Sequence, residues 1–395
     1  MRTAFRNLFA RSGFRCSPGR AASKKLVVRL APGALLLAAI AGASLTDPGT
    51  RVAAETHTSG QQADSKPAPE PTIESGIRRW HARGASRIAL PDGYSPPRPQ
   101  RKLFQTAAYQ LRLYAHEFAQ GRAVYVEILP PDGASAAPEN FQAALIHNQK
   151  SVPLSRHPFG YRGFIGIAPY AAVGKTVLSV TAGNAPGGLK TGRHKLQIAK
   201  TKFPVYRSAM NLGEFSDTSK ALTAAQLAQI TAGRAKKNRA FNLRTENQID
   251  DRLSHPRDLH KITSPFWAKR VVSRFKIVNG KRVDLKPKTS THGGLDLRAV
   301  TGAPIHALAT GTVAVAEAMY YEGQFTMLDH GQGVMSIYMH QSALNVQPGQ
   351  TVQAGDEIGK AGATGAVTGA HLHIAVYIRR VPVEPLSFLA LPVRN

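Results

Sequence analysis

Hydrophobic and polar positions change their rhythm several times along the chain. An apolar run from Leu30 to Ala43, centred on Leu35, Leu36, Leu37 and Ile40, follows a segment with Arg2, Arg6, Arg11, Arg15, Arg20, Lys24, Lys25 and Arg29 and no acid. From Thr46 to Gln100 large apolar residues thin out, and Ser, Pro, Ala, Gln and Thr dominate. From Leu103 to Tyr206 the rhythm has period two. Leu111 and Leu113 flank Arg112, and Val124, Val126 and Ile128 alternate with Tyr125 and Glu127. Breaks such as Pro130-Pro131-Asp132-Gly133 and Ala185-Pro186-Gly187-Gly188 separate these runs, which predicts short strands in a small β-sandwich. Over 222–240 the pattern suits a helix. Thr223 and Gln226 have capping-box spacing, Leu227 and Ile230 share a face, and Arg234, Lys236, Lys237 and Arg239 crowd the C-terminal end. From Ile262 to Leu389 strand patterns return, punctuated by Gly349, Gly355, Gly359, Gly362, Gly365 and Gly369, which predicts a compact antiparallel sheet.

The expected organisation is mainly β. It comprises a leader (1–43), a disordered Pro/Ser-rich tether (44–100), a β-sandwich-like domain (101–215), a helical connector (216–258) and an antiparallel β domain (259–395). Within the last, the basic stretch from Arg270 to Ser290 carries Asn279-Gly280, a hairpin-turn signal. Such a hairpin either lines a groove and favours anionic substrates or is a solvated edge.

Composition narrows the function. The 395 residues carry a formal net charge of +27 and a single cysteine, Cys16. One cysteine excludes a disulfide scaffold and a Cys-rich zinc finger, so a metal site must use histidine and carboxylate ligands. The basic segment, apolar run and Ala41-Gly42-Ala43 exit read as a secretory signal peptide. The alternative is an uncleaved anchor, although the run is short for a span of about 20 residues. Export places the protein in the periplasm or cell envelope. The cationic surface then suits an anionic envelope, or reflects a basic composition alone. No nucleic-acid-binding motif is present, so no nucleic-acid partner is expected, and a monomer is expected.

Candidate chemistry concentrates in three pieces: His292-Gly-Gly-Leu-Asp296, Tyr338-Met-His340 and Gly369-Ala-His371-Leu-His373. In a strand, residues two apart share a face, so both imidazoles of His371-Leu-His373 point one way. The four-residue spacing of His292 and Asp296 also places them on one face of an extended segment. Two histidines and a carboxylate leave one position of a tetrahedral zinc open, the mark of a catalytic site.

These pieces resemble the lysostaphin/LytM-type zinc metallopeptidases, which cleave peptide bonds in bacterial peptidoglycan. The resemblance covers about 262–389 and includes Ser264-Pro-Phe266, Gly302-Ala-Pro304, Asp329-His-Gly331, Gly349-Gln-x-Val352, Gly362-Ala-Thr-Gly365 and Thr368-Gly369 as well as the three pieces above. It implies one Zn2+ per chain on His292, Asp296 and His373, with His340 and His371 as catalytic residues beside the metal. It implies peptidoglycan peptides as substrate, and Tyr320 or Tyr321 as the substrate-stabilising tyrosine. Family members often have Gly-Asn where this chain has Gly323-Gln324. The sandwich resembles the N-terminal β domain of some secreted members. A non-enzymatic relative that activates a cell-wall amidase is the alternative, and such relatives usually lack part of the zinc set.

Overall fold

The structure, a computed structural model, describes residues 91, 94–133, 136–210, 215 and 221–393. The expected leader and most of the expected tether lie outside the described residues. The end of that tether is ordered. The Tyr94 ring packs against His255 and His260, with centroids 4.8 and 4.5 Å away, and strand Gln100–Gln105 begins the first sheet.

Two antiparallel sheets follow from the period-two runs. The first has the spatial order Gln100–Gln105, Gln110–Ala115, Ala123–Leu129, Gly160–Gly166, Leu154–His157. The second has the order Lys150–Val152, Phe141–His147, Gly174–Asn184, Lys190–Ile198. Leu111, Leu113, Val124, Val126 and Ile128 of the first meet Leu145, Leu178, Val180 and Leu196 of the second in one apolar core. Burying a side chain of this kind stabilises the fold by about 1.5–3 kcal/mol before entropy is charged.

The opposite face of the first sheet is covered too. Tyr114, Ala123, Tyr125 and Phe164 join a second core with Leu297, Ile374, Val376 and Phe388 of the C-terminal domain. All of Ala123–Leu129 is therefore buried, although alternation alone implies one wet face. Glu127 lies on the same side as Tyr125, cross-strand from Arg112 and Arg162. Polar contacts stitch the seam. Arg122 pairs with Glu384, Arg379 Nη1 donates to the Phe164 carbonyl at 2.8 Å, and the Ala123 N–H donates to Ser387 Oγ at 3.2 Å.

The C-terminal sheet has the order Ile262–Ser264, Leu295–Arg298, His371–Ile378, Val334–Leu344, Gly323–Asp329, Gly311–Met319, Thr351–Val352. Leu295–Arg298 and Val334–Leu344 flank His371–Ile378 antiparallel on either side. Three of the motif-bearing segments thus become neighbours in one sheet.

Helix Ala224–Phe241 carries the capping box formed by Thr223 and Gln226. Of the expected Leu227/Ile230 face, Leu227 is half exposed, while Ile230 shares a small cavity with Gly233, Lys237 and Met319; the buried residues are Gly233 and Ala240. The helix has no strong apolar stripe. It docks on Gly311–Met319 through small residues and through ion pairs of Lys236 with Glu317 and Lys237 with Glu322.

Lys269–Val278 and Lys281–Asp284 form the hairpin, with Asn279 (φ 49°) and Gly280 (φ 73°) both left-handed as a two-residue type I′ turn requires. Strand Val205–Met210, assigned to the first domain from sequence, pairs instead in parallel with Lys269–Val278. Its edge hydrogen bonds go to the C-terminal domain, so the sandwich proper ends at Lys190–Ile198.

Candidate metal centre

Asp296 and His373 face each other across the antiparallel pair Leu295–Arg298 and His371–Ile378. His292 enters from the preceding turn, four residues before Asp296. Their atoms converge: His292 Nε2 lies 2.9 Å from Asp296 Oδ1 and 2.9 Å from His373 Nδ1, and His373 Nδ1 lies 2.8 Å from Asp296 Oδ1. Among the described residues, these three form the group able to hold a metal ion. Tetrahedral bonds of about 2.0–2.1 Å separate ligand atoms by about 3.3 Å, so the triangle suits a zinc-sized ion after slight expansion. Gly294 makes the approach possible. A Cβ there would lie 2.4 Å from the Ile374 carbonyl oxygen and 2.6 Å from His373 Nε2.

The hydrogen bonds set the tautomers. His292 Nδ1 lies 3.0 Å from the Pro265 carbonyl, which can only accept, so Nδ1 carries the proton and Nε2 keeps its lone pair for the site. Burial would raise the Asp296 carboxyl, but the His292 and His373 imidazoles against it outweigh burial and hold the group below the usual carboxylate range. Burial lowers His373, partly offset by Asp296.

His340 and His371 stand beside this triangle. Their ring centroids are 5.1 Å apart, and the His340 and His373 centroids are 6.1 Å apart. His371 Nε2 lies 3.7 Å from Asp296 Oδ1. Each ring is fixed at Nδ1, His340 to the Thr364 carbonyl and His371 to the Gly369 carbonyl, both at 2.9 Å. In the neutral ring, Nε2 is then the nitrogen without a proton, the form a base requires. Burial, and then the neighbouring His371 and His373, push His340 down to about 4. His340 also sits at φ 65°, with its N–H donating to the Glu322 carbonyl at 2.9 Å. A left-handed histidine is uncommon and is retained where surroundings over-determine it, as at functional sites.

Tyr320 and Tyr321 lie in the turn after Gly311–Met319, two and one residues before Glu322. Their rings are 4.7 Å apart, and Tyr321 is 43% exposed. The Tyr321 carbonyl accepts from Ala366 N–H at 2.9 Å, which joins this turn to the loop that holds His340. His330 is fully enclosed by Thr310 and Ser336 and serves the fold.

Arg270 was not visible as a site residue from sequence, where it merged into a basic stretch. Its Nη2 donates to Asp296 Oδ2 at 2.5 Å and to Ser264 Oγ at 2.6 Å. Ser264 Oγ in turn lies 3.3 Å from His292 Nδ1. Period-two placement of Arg270 beside a Ser264-led motif was the available signal, but only the fold brings them together.

Comparison with known proteins fits this geometry. Residues 290–385 match the family model described as Peptidase family M23. The peptidoglycan DD-endopeptidase ShyB of Vibrio cholerae is 35% identical over 96 residues, 24% of this chain and 22% of that protein. The DD-carboxypeptidase/endopeptidase Mpg of Neisseria meningitidis is 39% identical over 101 residues, 26% of this chain and 23% of that protein. The chain thus spans under a quarter of the length of these relatives. A Pseudomonas aeruginosa protein described as a peptidase M23 superposes with TM-score 0.47 at 23% identity, over 69% of this chain and 95% of that one.

Proposed function

We propose that this chain, whose C-terminal domain belongs to peptidase family M23, is a zinc metalloendopeptidase that hydrolyses peptide bonds of bacterial peptidoglycan in the cell envelope. The observation that carries the reading is the triangle of His292 Nε2, Asp296 Oδ1 and His373 Nδ1 with two more histidines at its open side. A zinc ion held there supplies a Lewis acid that polarises a peptide carbonyl and brings water near neutrality as a nucleophile.

The chain's own residues do the rest. His292, Asp296 and His373 hold the metal. His340 and His371, each anchored at Nδ1, leave Nε2 for the same space, so a neutral ring can take a proton from water and, once protonated, stabilise charge on the carbonyl oxygen or return the proton to the leaving amine. Tyr320 and Tyr321 are assigned to the substrate side, on the turn whose Glu322 carbonyl accepts from the His340 N–H. The excess of cationic residues suits the carboxylates of stem peptides and an anionic envelope. The relatives named as DD-endopeptidases make the D,D cross-link the first bond to examine.

The test is digestion of purified sacculi by the full chain, with the soluble fragments separated and identified by mass. Cross-linked dimers should decline and monomers rise, chelation should stop the change, and added zinc should restore it. Zinc-loaded protein that leaves every cross-link intact while stimulating an amidase would overturn the reading.

A further inference from the structure

We propose that Arg270 is a positioning residue of the metal centre, locking Asp296 into one-oxygen ligation and His292 into its ligating orientation. This rests on the ligand reading above. Asp296 turns Oδ1 toward both histidines while Oδ2 is taken by Arg270 Nη2 at 2.5 Å. A carboxylate so divided can offer only Oδ1 to an ion. The same Nη2 reaches Ser264 Oγ at 2.6 Å, and Nε reaches it at 3.2 Å. Ser264 Oγ then stands 3.3 Å from His292 Nδ1, beside the Pro265 carbonyl that fixes that ring. One guanidinium therefore touches the surroundings of two ligands. Its planar fork of donors suits this task, whereas an ammonium acts as a point charge.

Arg270 is itself held in place. Its strand pairs on one side with Val205–Met210, where Tyr206 lies opposite Arg270, and on the other with Lys288–Thr291, where Ser290 lies opposite it. Lys288–Thr291 runs directly into His292. The strand that carries Arg270 and the strand that delivers the first ligand are thus in fixed register.

Charge and geometry predict opposite signs, which makes the proposal decidable. A fixed positive charge beside a divalent cation repels it, so by Coulomb's law alone Arg270→Gln should bind zinc more tightly and Arg270→Lys should match the wild type. If positioning governs, both variants should lose affinity. Removing such a supporting partner typically costs about 10- to 100-fold in metal affinity. Zinc dissociation constants of the full chain, measured by competition with a chromogenic chelator, give the readout without reference to activity. Cobalt substitution adds a second. The wild type should show the intense visible bands of four-coordinate cobalt, and Arg270→Gln should show weaker bands as Asp296 Oδ2 joins the ion.

Ser264→Ala leaves the charge in place and should lower affinity in the same direction, by less. It decides the matter if the arginine variants fail to fold, which melting of the metal-free proteins would reveal. Tighter or unchanged zinc binding in Arg270→Gln, or in Ser264→Ala where that variant decides, would overturn the proposal. Asp296→Ala run alongside separates the two readings: if it keeps full zinc affinity, the ligand assignment fails rather than the role of Arg270.

Discussion

His340 and His371 are tied down through Nδ1 to carbonyls of the Gly362–Gly369 loop, and neither belongs to the triangle of closest atoms. Each alanine variant should therefore keep most of its zinc. Loss of a general acid–base group typically lowers the rate by about 100- to 10,000-fold, so product release should fall by at least about 100-fold in each. Metal content and muropeptide release on the same preparations check this. Gly294→Ala should act the other way, losing metal first, because its Cβ would press on the Ile374 carbonyl and the His373 ring. Protonation gives a further expectation. His340 and His255 are both pushed down to about 4 by burial, from 6.5. The folded form then binds fewer protons than the unfolded chain between these values. The stability these groups permit is complete above about 6.5 and is lost as pH falls toward about 4. Melting of the metal-free protein should drop across that window, and a flat profile would contradict the burial of these two rings.

At the scale of elements, most strands are legible because period-two alternation and Gly/Pro/Asn breaks are local signals. The capping box is legible for the same reason, and Thr223→Ala should cost about 1 kcal/mol of stability, read as a shift in the denaturant midpoint. The turn at Asn279-Gly280 is equally local. What alternation cannot reveal is which face a partner covers: Ala123–Leu129 reads as half-wet and is wholly buried. Nor does it reveal partners distant in sequence. His292, Asp296, His340, His371 and His373 can be picked out by residue type and spacing, but Arg270 reaches Asp296 only through a hairpin packed between two other strands. The helix shows a third limit. Its docking face holds Ile230 with Gly233, Lys237 and Ala240, while Leu227, paired with Ile230 by spacing, is half exposed.

At the scale of the molecule, the first sheet is a shared wall between two cores. Tyr114, Tyr125 and Phe164 pack into the C-terminal domain, and Arg122, Arg379 and Ser387 bridge the seam. A fragment beginning at residue 255 would expose that apolar surface and lose Val205–Met210 from beside the Arg270 strand. Removing one such aromatic ring from a core typically costs about 3–5 kcal/mol, and the fragment strips away several at once. It should therefore be poorly soluble and bind zinc weakly, whereas the whole described body should unfold in a single calorimetric transition. Two separated transitions, or a soluble fragment 255–395 with full zinc affinity, would show that the shared wall carries little.

The parallel pairing of Val205–Met210 with Lys269–Val278 also orders events in time. A chain made from its N-terminus delivers Val205–Met210 well before its partner. In the interval that strand offers bare amides and carbonyls while the helix and the Leu243–Lys261 stretch are still arriving. Non-local pairing of this kind is slow to close and is open to wrong partners meanwhile. The segment that ends up steadying the metal's support is thus the one most in need of shelter during biogenesis.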